Sequence, residues 1–190
     1  KKLEGTLKVV TTGDAYQPLF DKFTEEVGPK VEFISMSSGE VLSKLKAEGG
    51  TPAADLWFGG GIDAFMDAKD NDLLEKVDFD AADELAPEFK DSDNYWFSKG
   101  VTVVGFIVNN DILKEKGLEA PKSWDDLTKE EYQGEVLMSN PAISGTNYAV
   151  VNALLQTKGD EEGWKYFEAL NKNVDYYSKR GSDPSTKTAA

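Results

Sequence analysis

The chain has 190 residues, with 21 lysine and arginine residues against 35 aspartate and glutamate residues and a formal net charge of −14. This length suffices for one large domain or two small ones, each with its own apolar core. Nucleic acid is disfavoured as a partner, because phosphate backbones bind clustered basic surfaces and an acidic surface repels polyanions. We therefore expect no nucleic acid among its partners.

The sequence contains no cysteine and no histidine. Without cysteine there are no disulfides, thiolate nucleophiles or ordinary zinc sites. Without histidine the chain lacks the commonest general base and a common metal ligand. A binding protein is therefore a more economical interpretation than an enzyme, and we predict no catalytic residue, cofactor or metal site.

No apolar run approaches the roughly 20 residues needed to span a bilayer. The chain begins Lys1-Lys2-Leu3-Glu4-Gly5, which lacks the apolar segment of a secretory signal. Any signal peptide is expected to have been removed or left out, so the location has to follow from the fold.

The first part of the chain, from residue 6 to about 75, alternates short apolar runs with amphipathic segments of helical period. Strands that alternate with helices of this length indicate right-handed crossovers and a mainly parallel sheet. The predicted strands are Leu7–Val10, Val31–Met36 and Asp55–Phe58, and the predicted helices are Tyr16–Val27, Glu40–Glu48 and Ile62–Lys69.

Residues 70 to 98 are rich in aspartate, and we predict a loop with one or two short helices around Ala81–Leu85. Val101–Val108 is the longest apolar run and is predicted to be a strand of about 26 Å at about 3.3 Å per residue. We interpret residues 101–109 as a crossover from a first α/β lobe, residues 1–100, to a second lobe, residues 110–190.

The second lobe is predicted to contain four helices and two strands, followed by a polar segment, Ser182–Ala190. Within that segment, Ser182–Thr188 resembles the approach to a further strand. The second helix has two candidate capping residues, Ser123 and Asp125. The helices are Asp111–Lys116, Asp125–Tyr132, Asn147–Thr157 and Glu161–Asn171, and the strands are Glu135–Met138 and Val174–Tyr177.

Aromatic side chains at helical spacing are predicted to be core residues, because they share the apolar faces of their helices. Tyr16 and Trp57 lie beside the turns and are candidates for the wall of a ligand cleft. The predicted core aromatics are Phe20, Phe23, Phe65, Trp164 and Phe167.

Four predicted strands end in runs of glycine, serine and threonine that lead into a helix. Such loops expose backbone N–H groups at a helix N-terminus, where α/β proteins hold anionic or polar ligands. Each run alone also suits ordinary capping or a tight turn. None matches a nucleotide-triphosphate or dinucleotide fingerprint.

The order of these parts resembles the extracellular solute-binding proteins of bacterial ABC transporters. The most similar branch is that of the ferric-iron, phosphonate and sugar-phosphate binders. The run Pro-x-Ser-Trp-x-x-Leu, followed by Asn-Pro and Ser-Gly-Thr, is the most specific part of the resemblance. The matching stretches are Lys8–Gly13, Ser37–Glu40, Ala54–Gly59, Val101–Asn109, Pro121–Leu127, Ser139–Pro141 and Ser144–Thr146.

This resemblance implies a two-lobed α/β protein of the type II periplasmic-binding fold, with mainly parallel sheets flanked by helices. It implies a non-enzymatic component of an ABC importer that captures a small anionic solute, such as a phosphonate or sugar phosphate, between the lobes. The implied location is the periplasm or the cell surface, and the implied partner is the transporter permease. The residues expected to contact the solute are Thr12, Gly13, Ser37, Ser38, Gly59 and Gly60 in the first lobe and Ser139, Asn140, Ser144, Gly145 and Thr146 in the second.

Two departures from the family pattern matter. Ferric-iron binders offer a histidine or carboxylate from the first lobe and a tyrosine pair from the second. Histidine is absent here, and Tyr176-Tyr177 does not occupy the place of that pair, so an organic anion is favoured over iron. Family members also continue for about another hundred residues. The chain is thus expected to be truncated and to dimerise or swap elements, covering open sheet edges.

Three alternatives stay open at this point. One is a ferric-iron binder of the same family. Another is a phosphoryl enzyme that holds a divalent metal with carboxylates near the turns, for which only Asp14, Glu40 and Asp63 are adjacent. The third is a fragment that binds nothing.

Overall fold

A computed structural model describes residues 1–190, which form two units, Lys1–Thr102 and Val103–Ala190. The division falls inside the segment that the sequence marks as a crossover. None of the helices combines the length and apolar composition that crossing a bilayer requires.

The first unit contains a three-stranded sheet in which every pairing is parallel, as the alternating pattern predicts. The strand order is β2-β1-β3, and Thr11 at the end of β1 lies in register with Ser35 and Phe58 at the ends of its neighbours. All three carboxyl ends therefore lie at one edge of the sheet. The strands are β1 (Thr6–Thr11), β2 (Lys30–Ser35) and β3 (Leu56–Phe58).

The helices of this unit pack on both faces of the sheet, because successive strand residues point to opposite sides. Val10 is buried with Val41 and Leu45 on one side. On the other side Phe20 lies 5.1 Å from Phe33, ring centroid to ring centroid. The helices are α1 (Gln17–Val27), α2 (Ser38–Glu48) and α3 (Ile62–Asp70).

The segment after α3 is irregular, with short 3₁₀ turns at Asp80–Glu84 and Pro87–Phe89. The ammonium group of Lys69 ties it to the unit by ion pairs of 2.7 Å to Asp91 and 2.9 Å to Asp93. Burial raises the pKa of Asp91, but Lys69 and nearby backbone N–H groups outweigh it and hold that pKa below its ordinary value. The predicted loop with short helices is confirmed.

The predicted strand across Val101–Val108 is wrong, because these residues adopt no regular secondary structure. A β-strand is stabilised by ladder hydrogen bonds to a neighbour, and no strand of either unit pairs with this segment. Val103 is 94% exposed. The segment is apolar enough to be a strand, but apolar character alone does not supply a partner.

The second unit contains two parallel strands, β4 (Val136–Ser139) and β5 (Val174–Ser178). Its core lies between the strands and two long helices. The helices of this unit are α4 (Asn110–Lys116), α5 (Gly145–Lys158), α6 (Asp160–Asn171) and α7 (Asp183–Thr188). The buried core residues are Leu127, Val150, Leu154, Tyr166 and Leu170.

The single helix predicted over Asp125–Tyr132 is two 3₁₀ turns, Asp125–Thr128 and Glu130–Tyr132. The residue that caps the first turn is Ser123, whose Oγ accepts the N–H of Asp126 at 3.1 Å. The carboxylate of Asp126 in turn accepts the N–H of Ser123 at 3.1 Å. This reciprocal pair gives the Pro-x-Ser-Trp-x-x-Leu run its fixed geometry.

The C-terminal segment contains a helix that the sequence pattern did not predict, and one core prediction for this unit is wrong. Within Ser182–Thr188, predicted as the approach to a further strand, Asp183–Thr188 forms α7, which lies beside β4. Pro184 in the first turn favours a helix start, since its fixed φ suits that position. Trp164 is not a core residue but is 54% exposed, and Tyr166 is buried in the core in its place.

Candidate functional site

Two turns of the first unit are joined by a side-chain contact at the carboxyl edge of the sheet. The Oγ of Ser38, at the start of α2, accepts the N–H of Gly61 after β3 at 3.2 Å. Gly60 has φ +125°, and a Cβ there would lie 2.7 Å from the same oxygen. This close approach and the positive φ both require glycine at position 60.

The turn after β1 meets the turn after β3 in the same way. A Cβ on Gly59, whose φ is +90°, would lie 2.7 Å from Oγ1 of Thr12. The structure therefore brings together Thr12, Ser38, Gly59 and Gly60 from three separate turns. Gly13, next to Thr12, has an extended φ of −170° and open space where a Cβ would lie.

Ser37 has a local structural role. It forms a capping box with Glu40, in which the N–H of Ser37 donates to the Glu40 carboxylate at 3.0 Å. The capping interpretation, which the sequence left open beside ligand contact, therefore accounts for this residue.

The sequence did not single out Lys99, which lies at the same edge. Its ammonium group donates to the hydroxyl of Tyr16 at 2.7 Å and lies 4.6 Å from the centre of that ring. Its Cε lies 3.5 Å from the position that a Cβ on Gly59 would occupy. No sequence motif marks this lysine, because it reaches the turns from the far end of an irregular segment.

Trp57, the other candidate for a cleft wall, packs under these turns. Its ring is stacked on that of Phe65 at a centroid distance of 4.0 Å. Its indole N–H is buried without a hydrogen-bond partner, and so is the hydroxyl of Thr11.

In the second unit the turn after β4 is joined to the turn after β5. Ser139 is fully buried, and its hydroxyl donates to the carbonyl oxygen of Arg180 at 2.5 Å. The hydroxyl groups of Ser139 and Ser178 are 3.2 Å apart. The N–H of Asn140 donates to the carbonyl oxygen of Ser178 at 2.7 Å.

The rest of this turn is organised around the start of α5. The side-chain oxygen of Asn140 accepts the N–H of Ala142 at 2.9 Å. The backbone carbonyl oxygen of Asn140 accepts the N–H of Ser144 at 2.8 Å. Ser144 is buried and caps the helix that begins at Gly145. A Cβ on Gly181 would lie 2.5 Å from Oγ1 of Thr146, so the two turns are in contact here too.

Carboxylates do not gather near these turns. The structure contains no group of three or more aspartate, glutamate, histidine or cysteine residues placed to hold a metal ion. Of the three carboxylates adjacent to the turns in the sequence, Asp14, Glu40 and Asp63, that of Glu40 is engaged in the capping box. The donors at the turns of the first unit are hydroxyls, backbone N–H groups and the ammonium group of Lys99.

In parallel α/β proteins, polar turns at the carboxyl ends of the strands are the usual place for polar ligands. The chain belongs to the family of bacterial extracellular solute-binding proteins, and a model of that family matches residues 52–186. The extracytoplasmic location that the sequence predicts is that of the family.

Individual relatives match the chain over most of its length. The solved structure of the periplasmic binding protein AfuA from Actinobacillus pleuropneumoniae, with fructose-6-phosphate bound, superposes with a TM-score of 0.92 at 30% identity, covering 97% of this chain and 60% of that one. An uncharacterized protein of Haemophilus influenzae is 34% identical over 172 residues, covering 88% of this chain and 50% of its own. The type II periplasmic-binding fold and the mainly parallel sheets are thus confirmed.

A third relative differs in the solute that its name states. The Fe(3+)-binding periplasmic protein of Serratia marcescens is 27% identical over 158 residues, covering 83% of this chain and 45% of its own. The Serratia protein and AfuA are both named as binding proteins of the periplasm. This chain spans about half the length of the curated relatives that it matches over most of its length.

Proposed function

We propose that this protein is the substrate-binding component of an ABC importer and that it captures a small solute carrying a phosphate, phosphonate or similar anionic group. It delivers that solute to a transporter permease and performs no chemistry on it. Family membership supports this role.

The observation that carries the proposal is the meeting of three turns at the carboxyl edge of the first sheet. Positive φ angles and close contacts at Gly59 and Gly60 hold the backbone against Thr12 and Ser38. Hydroxyl and backbone N–H donors gathered in this way suit the oxygen atoms of an anion. Thr12 is half-buried, and its hydroxyl has no partner within the protein.

The choice of an anion over ferric iron rests on donor chemistry. Iron(III) is a hard cation that needs carboxylate, phenolate or imidazole ligands, and the turns of the first unit present neutral hydroxyls and N–H groups instead. The relative with fructose-6-phosphate bound supports a phosphorylated solute. The relative named as an Fe(3+)-binding protein makes iron the alternative.

Calorimetry on the complete natural protein tests the proposal, with fructose 6-phosphate, methylphosphonate, inorganic phosphate and ferric citrate as probes. We expect binding of at least one phosphorylated or phosphonate probe. Replacement of Thr12 by valine keeps the side-chain volume and removes the hydroxyl, so affinity should fall about tenfold, the loss of one hydrogen bond of about 1.4 kcal/mol.

The matched control is Thr6→Val, because Thr6 begins the same strand and lies at the opposite edge of the sheet. It should bind as the unaltered protein does. Binding of ferric citrate alone would establish the alternative, and binding of none of the probes would reject the proposal.

Three parts of this function stay predictions from the sequence. They are closure of two lobes around one solute, contact of the solute with Ser139, Asn140, Ser144, Gly145 and Thr146, and formation of a homodimer by this chain.

A further inference from the structure

Lys99 differs in its surroundings from the lysines of the first unit that pair with carboxylates. Lys44, Lys46 and Lys69 each form an ion pair with a carboxylate. Lys99 forms none, although the chain as a whole carries a net charge of −14. Its one hydrogen bond is to the neutral hydroxyl of Tyr16. An unpaired cation is therefore held at one defined place.

Two aromatic rings and a phenol fix that place. The ammonium nitrogen of Lys99 lies 4.6 Å from the ring centre of Tyr16 and 5.5 Å from that of Phe58, distances at which the electron-rich face of a ring attracts a cation. The two rings are themselves in edge-on contact at 5.0 Å. The aromatic pair orients the lysine without neutralising its charge.

The hydrogen-bonding capacity of this ammonium group is largely unused. A lysine ammonium has three N–H donors, and the Tyr16 hydroxyl accepts only one of them. The side chain of Lys99 is exposed, so the remaining donors are open to a ligand. The Cε of Lys99 and the free hydroxyl of Thr12 lie 3.5 Å and 2.7 Å from the position that a Cβ on Gly59 would occupy.

We propose that Lys99 is the counter-ion for the anionic group of the solute, and that Tyr16 is the positioning residue that holds its ammonium group beside the Gly59 turn. This inference rests on the proposed function, and it identifies the positive charge that would make the site prefer an anionic group. An acidic protein repels anions over long range, so a local cation beside the hydroxyl and N–H donors favours capture of one. The same cation disfavours ferric iron through repulsion of like charges.

The test compares Lys99→Met with the unaltered complete protein, using fructose 6-phosphate and uncharged fructose as probes. Methionine keeps the apolar stem on the rings and removes the charge. Affinity for fructose 6-phosphate should fall about 10- to 100-fold, the range for loss of a charge-assisted hydrogen bond. The affinity should also depend less on salt concentration, because one ion pair has been lost.

Tyr16→Phe tests the positioning role. The aromatic face remains, but the oxygen that accepts from Lys99 is lost, so the loss of affinity should be several-fold and smaller than for Lys99→Met. The salt dependence should stay close to that of the unaltered protein, since the charge is retained. A purely structural role for Tyr16 would lower the affinity for fructose 6-phosphate and fructose alike.

Lys30→Gln is the matched control, since it removes the same charge from the opposite edge of the same sheet. It should leave the affinity unchanged. If the unaltered protein binds fructose 6-phosphate and Lys99→Met binds it equally well, the role of Lys99 is rejected while the proposed function stands. If no phosphorylated or phosphonate probe binds the unaltered protein, the proposed function itself is rejected.

A measurement on the unaltered protein covers the case in which the variants do not fold. In a protein with ¹⁵N-labelled lysines, inorganic phosphate should shift the side-chain resonance of Lys99 and leave that of Lys30 in place. An equal response of both lysines, or none from Lys99, would overturn the inference.

Discussion

The polar turns of the two units contain the same residue types and use them differently. In the first unit, Gly59 and Gly60 bring the backbone close to Thr12 and Ser38. The hydroxyl of Thr12 and the ammonium group of Lys99 there have donors without a partner in the protein. In the second unit, the hydroxyl of Ser139 is fully buried and bonded to Arg180. A run of serine, glycine and threonine therefore indicates a turn. The residues packed around that turn determine whether its donors form hydrogen bonds within the protein or stay available to a ligand.

The largest expected effect is on the glycine turn of the first unit. Gly60→Ala introduces a Cβ at φ +125°, 2.7 Å from Oγ of Ser38. A non-glycine residue held in such a conformation costs about 1–3 kcal/mol. We expect the free energy of unfolding to fall by that amount in urea denaturation followed by tryptophan fluorescence.

Gly13→Ala is the control for this substitution. Gly13 has an extended φ of −170° and nothing within 4 Å of the new Cβ. Its stability should stay within about 0.5 kcal/mol of that of the unaltered protein. Equal destabilisation by the two substitutions would show that close packing at Gly60 is not what distinguishes this turn.

A smaller effect is expected in the second unit from Ser139→Ala. The substitution removes the hydroxyl that donates to the carbonyl oxygen of Arg180, which still accepts the N–H of Asp183 at 3.1 Å. We therefore expect a loss near the lower end of the usual range, about 1 kcal/mol. The measurement is again the free energy of unfolding in urea.

The exposed Ser43, on α2 of the first unit, provides the comparison. Ser43→Ala removes an exposed hydroxyl without a hydrogen-bond partner in the protein, so stability should change by less than about 0.5 kcal/mol. If Ser139→Ala were equally well tolerated, the hydroxyl of Ser139 would not be a structural link, and the contrast between the units would be lost.

The smallest effect is on how thermal stability depends on pH, through Asp126 in the first 3₁₀ turn of the second unit. The ammonium of Lys129 and the N–H of Lys122 lower the pKa of Asp126 from its ordinary 3.8 to about 2. A carboxyl group with a lowered pKa stabilises the fold above its unfolded pKa, and this contribution is lost as the pH falls through its folded pKa. Asp126→Asn should therefore lower the Tm at pH 7, and the difference should shrink between about pH 4 and pH 2.

Asp175→Asn is the control for the acid dependence. Asp175 is an exposed residue of β5 without a hydrogen-bond partner in the protein, so its substitution removes the same charge and no contact. Its Tm should follow that of the unaltered protein at every pH. A difference for Asp126→Asn that persists at pH 2 would show that the carboxylate is not the stabilising group.

Features that arise from neighbouring residues could be predicted from the sequence. The capping box of Ser37 and Glu40 is local, and β1 and β2 lie within one residue of their predicted bounds. Val101–Val108 was predicted as a strand because it is apolar, yet a strand depends on a partner that sequence periodicity does not identify. The exposure of Trp164 was missed because helical spacing alone does not fix which face is buried.

The residues of the candidate site also divide into those that the sequence predicts and those that depend on distant parts of the chain. Thr12, Ser38, Gly59 and Gly60 could be predicted because each follows a strand, and parallel strands end at one edge. Lys99 could not, since it is brought to Tyr16 from 83 residues away along an irregular segment. The helix α7 carried a usable signal in Ser182-Asp183-Pro184, a capping residue followed by proline in the first helical turn.

The buried hydroxyl of Thr11 and the buried indole N–H of Trp57 affect the stability of the first unit. Each is a hydrogen-bonding group without a partner in the protein, and each costs about 1–3 kcal/mol of folding free energy. Thr11 ends β1, and Trp57 is the middle residue of β3. The strands that lead into two of the turns are therefore less stable than apolar side chains of the same shape would make them.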